Sequence, residues 1–355
     1  MTHKITMNII AEKCSTSIGT VDRALNNRPG INQKTRDQIL RAAKELGYKP
    51  NRIAGALSRK KVIRLGVVYS FEPVDFYSHI EAGVERAKKE LADYSVQVES
   101  IRSPVLSPIQ QKELLNSIDL SKYDGFAINS GGTSIAEIIN RFIAQGIPVI
   151  TFNTDAPESN RLFYVGNNSR QSGRVGGELM GKMLSGTGKV TILGNFLGTT
   201  TFIERFGGFC EVIQEQYPHI SLCTCAECYS DPLKAFQVVT EMLQQAPDIN
   251  GIFSTGYAGT IGAAEAVKQL NRPDVKVIGY DLGKQTIESL NDGWCTAVLY
   301  QDPFQQGYQA VHLLARHLLD NWLPSQKQLH IETKIVMKYN MENSSNNELL
   351  EGRFY

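Results

Sequence analysis

The first fifty positions carry a helical apolar rhythm. Met7, Ile10, Ala11 and Cys14 recur at i, i+3, i+4 and i+7, with Thr6 placed to N-cap the helix they predict. Ser15-Thr16-Ser17 interrupts it. Ser17 is placed to cap a second helix, with Val21 and Leu25 on its inner side. The run Asn26-Asn27-Arg28-Pro29-Gly30 reads as a loop. Asn32 then starts a third helix with Ile39, Ala43 and Leu46 inward and Gly47 as its stop. Three short helices with one very short turn between the first two describe a helix-turn-helix unit. From Val62 the rhythm changes. Strand-sized apolar runs at Ile63–Val68, Gly125–Ile128, Ile147–Ile150, Lys189–Leu193, Gly251–Phe253 and Lys276–Gly279 alternate with amphipathic stretches at 76–92, 133–145, 169–184 and 258–270. That alternation predicts an α/β design with parallel sheets covered by crossover helices. About ten strands are too many for one compact sheet, so two doubly wound lobes are expected, with ligands in the cleft at the carboxyl ends of the strands.

Charge separates the same two regions. The chain of 355 residues has a formal net charge of +1, yet residues 1–64 hold 14 Lys and Arg against 4 Asp and Glu, a net of +10. The remainder holds 23 basic and 32 acidic residues, a net of −9. A basic segment on an acidic body points to nucleic acid or another anionic surface as the partner of the N-terminus, the competing reading being a solvated basic face. A chain 42% hydrophobic and 21% charged is neither disordered nor collagen-like, and its apolar runs fall short of a membrane span. The first residues carry no apolar signal region, so a cytoplasmic location is expected.

The second helix is the candidate recognition element. Ile18, Gly19, Asp22 and Arg23 share its outer side. An arginine there suits bidentate pairing with guanine, and an isoleucine suits a thymine methyl. Thr6, Ser17, Thr20 and Asn26 are short polar groups near helix ends, suited to phosphate contacts that fix register. The run Ile5–Glu12, then Ser17–Asn26, Lys34-Thr35-Arg36 and Leu46–Asn51, resembles the DNA-binding headpiece of the lactose/galactose repressor (LacI/GalR) family of transcriptional regulators. Ser15 stands where that family commonly has a turn glycine, and Asp22 where it commonly has a serine. Residues 50–61 are similar to the family's hinge helix, and the resemblance implies minor-groove contacts from Ala54 and Leu57, with the leucine wedged between bases, and makes Asn51 a further DNA-contact candidate. The expected bounds are a headpiece at 1–49, a hinge at 50–61, a two-lobed domain at 62–340 and a polar tail at 341–355.

Strand ends in the larger region supply candidate ligand groups: Tyr69-Ser70, Phe76, Tyr77, Asn129, Asn153, Asp155, Arg205, Tyr257, Asp281 and Gln301. Planar amides, a guanidinium and carboxylates suit vicinal hydroxyls, and aromatic rings suit the apolar faces of a sugar. These stations resemble the type I periplasmic sugar-binding-protein fold that the same regulator family uses to sense its effector. The resemblance implies that Asn129, Asn153, Arg205, Tyr257, Asp281 and Gln301 line the pocket, with Phe76 and Tyr77 stacking. Asn153-Thr154 replaces the Asp-Arg pair of ribose-type binders, and Tyr257 replaces a common asparagine.

Other signals carry less. Ser185-Gly186-Thr187-Gly188-Lys189 lacks the following hydroxyl residue and precedes a strand, so it is not a phosphate loop. His219, Cys223, Cys225 and Cys228 offer metal-ligand types, the first three on one strand face, but strand alternation with buried free thiols explains them more cheaply, and no metal is expected. No cofactor and no catalytic constellation are expected. The expected protein is a repressor that binds a palindromic operator on double-stranded DNA as a homodimer and answers to a carbohydrate effector. A transport solute-binding protein and a sugar-modifying enzyme on the same scaffold are the alternatives.

Overall fold

The computed structural model describes residues 6–25, 29–46, 62–70, 74–103, 108–131 and 135–341. The candidates Asn26, Asn51, Ala54 and Leu57, and the tail beyond Met341, lie outside the described residues. The chain divides into two compact units at Lys60/Lys61.

The first unit contains α1 (Met7–Lys13), α2 (Ile18–Leu25) and α3 (Gln33–Glu45). Ile10, Ala11, Cys14, Val21, Ala24, Ile39, Ala42 and Ala43 bury one another in its core. The turn between α1 and α2 needs a left-handed residue, and Ser15 takes that conformation at φ 48. The Thr16 amide then closes the helix end on the Ala11 carbonyl at 2.9 Å. A serine at the usual glycine position is therefore accommodated at some conformational cost, without loss of the turn. Asn32 caps α3 as expected, accepting from the Thr35 amide at 2.8 Å. Thr6 occupies the N-cap of α1 with extended backbone but makes no side-chain capping bond.

The second unit has two six-stranded sheets. Its strands are β1 (Ile63–Ser70), β2 (Val96–Ser103), β3 (Gly125–Ile128), β4 (Val149–Phe152), β5 (Tyr164–Gly166), β6 (Thr187–Gly194), β7 (His219–Glu227), β8 (Gly251–Ser254), β9 (Lys276–Tyr280), β10 (Ala297–Tyr300), β11 (Gln328–His330) and β12 (Lys334–Val336). Its helices are α4 (Val74–Leu91), α5 (Pro108–Ser117), α6 (Ala136–Ala144), α7 (Ser169–Met183), α8 (Thr200–Gln216), α9 (Pro232–Gln245), α10 (Tyr257–Gln269), α11 (Lys284–Asp292) and α12 (Pro303–Asp320). The sheet orders are β11-β5-β4-β3-β1-β2 and β12-β10-β9-β8-β6-β7. Each sheet has an apolar core on both faces, which is why its central strands read as continuous hydrophobic runs. The pairings are parallel except for β12, which runs antiparallel to β10. That edge strand and β11 are three residues long, too short for alternation to announce them.

The chain passes between the lobes at 167–168, 301–302 and 331–333. One side chain ties these crossings together. Gln306 donates from Nε2 to the Gln301 carbonyl at 2.8 Å and to Asn167 Oδ1 at 3.2 Å. Asn167 donates in turn to the Ile331 carbonyl and to Thr333 Oγ1, at 3.0 and 2.9 Å.

One strand corrects the sequence reading. Between Val190 and Ile192, two residues of β6, the partner strand advances three, from Leu222 to Cys225. The extra residue is a bulge, and it shifts Cys225 out of phase with His219 and Cys223. Cys225 then lies near Cys210 of α8, whose thiol burial pushes up to about 11. His219, Cys223 and Cys225 do not share a face, and no group of metal-ligating side chains assembles among the described residues.

Candidate functional site

On the first unit, Ser17, Ile18, Gly19 and Arg23 are exposed and Thr20 is half-buried, while Val21 and Ala24 turn inward. Ser17 Oγ accepts from the Thr20 amide at 3.2 Å and bonds the Thr20 hydroxyl at 2.9 Å, which fixes the start of α2. Ile18 keeps 48% of its surface in solvent although it opens an amphipathic helix. An apolar side chain left outside beside an arginine gives α2 an outer face suited to base edges.

Between the lobes lies a cavity of about 510 Å³. Phe76, Tyr77 and Asn153 come from one lobe, and Arg205, Tyr257 and Asp281 from the other, with Gln301 at a crossing. Asn153, Asp281 and Asp302 all take left-handed backbone at strand ends, at φ 60, 68 and 51. Asparagine and aspartate tolerate that region best, and such strain is commonly kept where side chains must be aimed at a site.

Arg205 organises the cavity floor. It is brought there by close packing of α7 on α8: a Cβ at Gly173 would stand 2.1 Å from the Arg205 carbonyl oxygen. Its Nη1 donates to the Thr255 carbonyl at 2.7 Å and its Nη2 to Gln301 Oε1 at 2.9 Å. The guanidinium lies 3.8 Å from the Tyr280 ring centroid. Gln301 passes the polarity on, donating to Asp281 Oδ2 at 3.0 Å. Burial pushes the Asp281 carboxyl up to about 6, against the pull of Arg205 and of the Gln301 amide. Two buried atoms of this network, Arg205 Nε and Asp281 Oδ1, have no partner among the described residues. A donor and an acceptor are thus left for a third party.

Four of the sequence candidates stand elsewhere: Tyr69 donates to Ser100 Oγ at 3.1 Å and Ser70 to the Ser103 carbonyl at 3.4 Å, and neither lines the cavity. Asp155 is not at the cavity. Its carboxylate pairs bidentately with the buried Arg161 and accepts from the Thr151 hydroxyl and the Ala156 amide. An arginine six residues downstream in the same loop captures it before it reaches the cleft. Asn129 stands behind the cavity wall and donates to the Tyr77 hydroxyl at 3.0 Å. The strand-end rule also overlooked residues. Asn195 and Phe196 follow the end of β6, Tyr229 follows β7, and all line the cavity. Phe196 and Tyr229 meet edge to face at 6.1 Å, adding an aromatic wall opposite Phe76 and Tyr77. Their signal was available in the polar and aromatic residues directly after Leu193-Gly194 and Glu227.

The fold and cavity define a class: a two-lobed small-molecule binding domain joined to a helix-turn-helix unit. Residues 65–321 match the model of the periplasmic binding protein domain, and residues 6–51 match that of the bacterial regulatory proteins of the lacI family. The chain belongs to the periplasmic binding protein domain family over its larger part and carries a helix-turn-helix domain of the lacI family at its start. It is similar over 97% of its length to the ribose operon repressor of Halalkalibacterium halodurans, at 22% identity and 99% coverage of that protein. It is 25% identical over 78% of its length to a probable repressor, ExuR, of Bacillus subtilis, covering 81% of it. Among solved structures it resembles a solute-binding protein from Burkholderia graminis in complex with D-arabinose, with TM-score 0.74, 25% identity and coverage of 81% and 99%. It also resembles the glucose-galactose binding protein GanP of Geobacillus stearothermophilus, with TM-score 0.75, 26% identity and coverage of 80% and 100%. The protein is a ligand-responsive, DNA-binding regulator of transcription. Among the described residues no helix is long and apolar enough to cross a membrane.

Proposed function

We propose that the protein is a cytoplasmic repressor that binds a pseudo-palindromic operator as a homodimer and takes a monosaccharide in the inter-lobe cavity. The reading is carried by the unpartnered pair of Arg205 Nε and Asp281 Oδ1, buried in a cavity flanked by aromatic rings. A hydroxyl group both donates and accepts, so adjacent hydroxyls of a sugar satisfy both atoms at once. Phe76 and Tyr77 on one side, with Phe196 and Tyr229 on the other, suit the two apolar faces of the ring. In this reading Asn153, Tyr257 and Gln301 complete the polar lining, Asn129 holds Tyr77, and Asp155 has a structural task only.

On the DNA side, Arg23 and Ile18 are proposed to read base edges, and Thr6, Ser17, Gly19 and Thr20 to lie against phosphates, with Asn26, Asn51, Ala54 and Leu57 extending that contact. One headpiece reads only a half-site, so a dimer and a two-fold operator follow. The effector acts by linkage: it favours one arrangement of the lobes, and segment 50–61 carries the change to the DNA unit. A thermal-shift screen against neutral aldoses, ketoses and sugar acids tests the ligand class. A neutral monosaccharide is expected to raise the melting temperature of the wild type and not of Arg205→Ala. Stabilisation by no sugar in the panel, or equal stabilisation of both proteins, contradicts the assignment.

A further inference from the structure

The carboxylate of Asp75 joins the two lobes without lining the cavity. Asp75 sits in the first turn of α4, on the lobe of β1. Its Oδ2 accepts from the Tyr257 hydroxyl, at the start of α10 in the other lobe. The same oxygen accepts from the Lys284 amide, at the start of α11, at 3.2 Å. A carboxylate at a helix N-terminus meets the positive end of the helix dipole as well as an otherwise unpaired amide. Gly283 makes room for this junction. A Cβ there would stand 2.1 Å from the Tyr257 hydroxyl and 2.6 Å from Asp75 Oδ2. The backbone of Gly283 is extended at φ −161, so close approach and not conformation demands glycine. Tyr257 lines the 510 Å³ cavity, whereas Asp75 lines a neighbouring cavity of about 410 Å³ with His79 and Lys284. The bonded pair is the partition between them.

We propose that Asp75 is a positioning residue for effector binding: it clasps the lobes through Tyr257 and the Lys284 amide, and so sets effector affinity without touching the effector. Opening the lobes breaks both bonds together, because they share one oxygen. A sugar bound across the cleft requires the same closed arrangement. The clasp therefore contributes to binding by reducing the cost of closure. Its effect lies mainly in the dissociation rate, since release needs the lobes to part. The affinity part of this inference rests on the proposed function, whereas the clasp itself does not.

Two measurements separate these parts. Hydrogen–deuterium exchange on the full-length protein, with no sugar present, reads the Lys284 amide directly. In Asp75→Ala and Gly283→Val the segment beginning at Lys284 is expected to exchange at least about tenfold faster than in the wild type. Gly283→Val leaves every hydrogen-bonding group in place, so agreement between the two variants assigns the effect to closure. Unchanged exchange in Asp75→Ala, with the fold intact by thermal unfolding, overturns the clasp. Binding of D-ribose, D-arabinose and D-galactose is then measured by calorimetry. For any sugar that the wild type binds, Asp75→Ala is expected to weaken affinity about tenfold, or about 1.4 kcal/mol, with the loss in dissociation rate and with partial rescue by Asp75→Glu. Equal affinity in wild type and Asp75→Ala overturns the role in binding. Failure of the wild type to bind any of the three counts against the proposed ligand and leaves the exchange result standing.

Discussion

Asp281 is expected to make effector binding a proton-linked reaction. The side chain is buried, and its carboxyl is raised from 3.8 to about 6. Burial is the main cause, only partly offset by Arg205 and Gln301. A rise of that size corresponds to a preference of about 3 kcal/mol for the protonated form in the folded state. The folded state holds this proton more tightly than the unfolded chain. The contribution of Asp281 to stability is thus fully present below pH 3.8 and is lost as pH rises through about 6. A bound sugar reverses the sign at this group. Hydroxyls donating to Oδ1, which lacks a partner, favour the ionised form and return the carboxyl toward its ordinary range. The free domain is protonated here at pH 5 and ionised at pH 7, so binding at pH 5 must expel a proton. With the carboxyl brought back to about 3.8, affinity is expected to be about tenfold weaker at pH 5 than at pH 7. Calorimetry of a sugar selected by the thermal screen, in buffers of differing ionisation enthalpy, measures the proton released. Asp281→Asn should remove the pH dependence as well as most of the affinity. Affinity that stays flat from pH 5 to pH 7 in the wild type, or an unaltered profile in Asp281→Asn, rules out proton linkage through Asp281.

Three further outcomes are expected. Arg23→Ala should lower operator affinity by about 1–3 kcal/mol and relax preference at one base pair in a mobility-shift titration of operator variants; equal selectivity removes α2 from the recognition role. Gly173→Ala forces α7 away from the backbone of Arg205 and should cost about 1–3 kcal/mol in chemical denaturation, with effector binding lost more than stability requires. Asp155→Ala leaves Arg161 buried without its partner and should destabilise the domain by about 3–5 kcal/mol, while any molecules still folded bind effector normally; selective loss of binding would return Asp155 to the cavity.

The sequence announced the architecture through two different periodicities, because both the small helical core and the doubly wound sheets depend on them. The caps at Ser17 and Asn32 were legible because capping is a local interaction of a short polar side chain with amides three residues on. Tyr257, Asp281 and Gln301 were legible because open α/β sheets place strand ends at their cleft, whereas Arg205, inside α8, was legible only through the family resemblance. Asp155 obeyed the same rule and was misassigned, since its pairing with Arg161 is settled in three dimensions. The bulge in β7 was invisible for a related reason: one extra residue leaves the alternation on either side intact but shifts its phase. Asp75 gave no signal at all. Its partners lie 182 and 209 residues away, and only the closed arrangement of two lobes brings them to one oxygen.

A sugar in the cleft is expected to change how tightly the headpiece holds DNA. Full-length protein selects its preferred sequence from a random double-stranded library, and operator affinity is then titrated with and without the sugar from the thermal screen at fixed salt. A pseudo-palindromic sequence is expected, with an affinity shift of about 5–150-fold, or about 1–3 kcal/mol, that is abolished in Arg205→Ala. Sugar binding that leaves operator affinity unchanged in the wild type contradicts control of DNA binding by the effector.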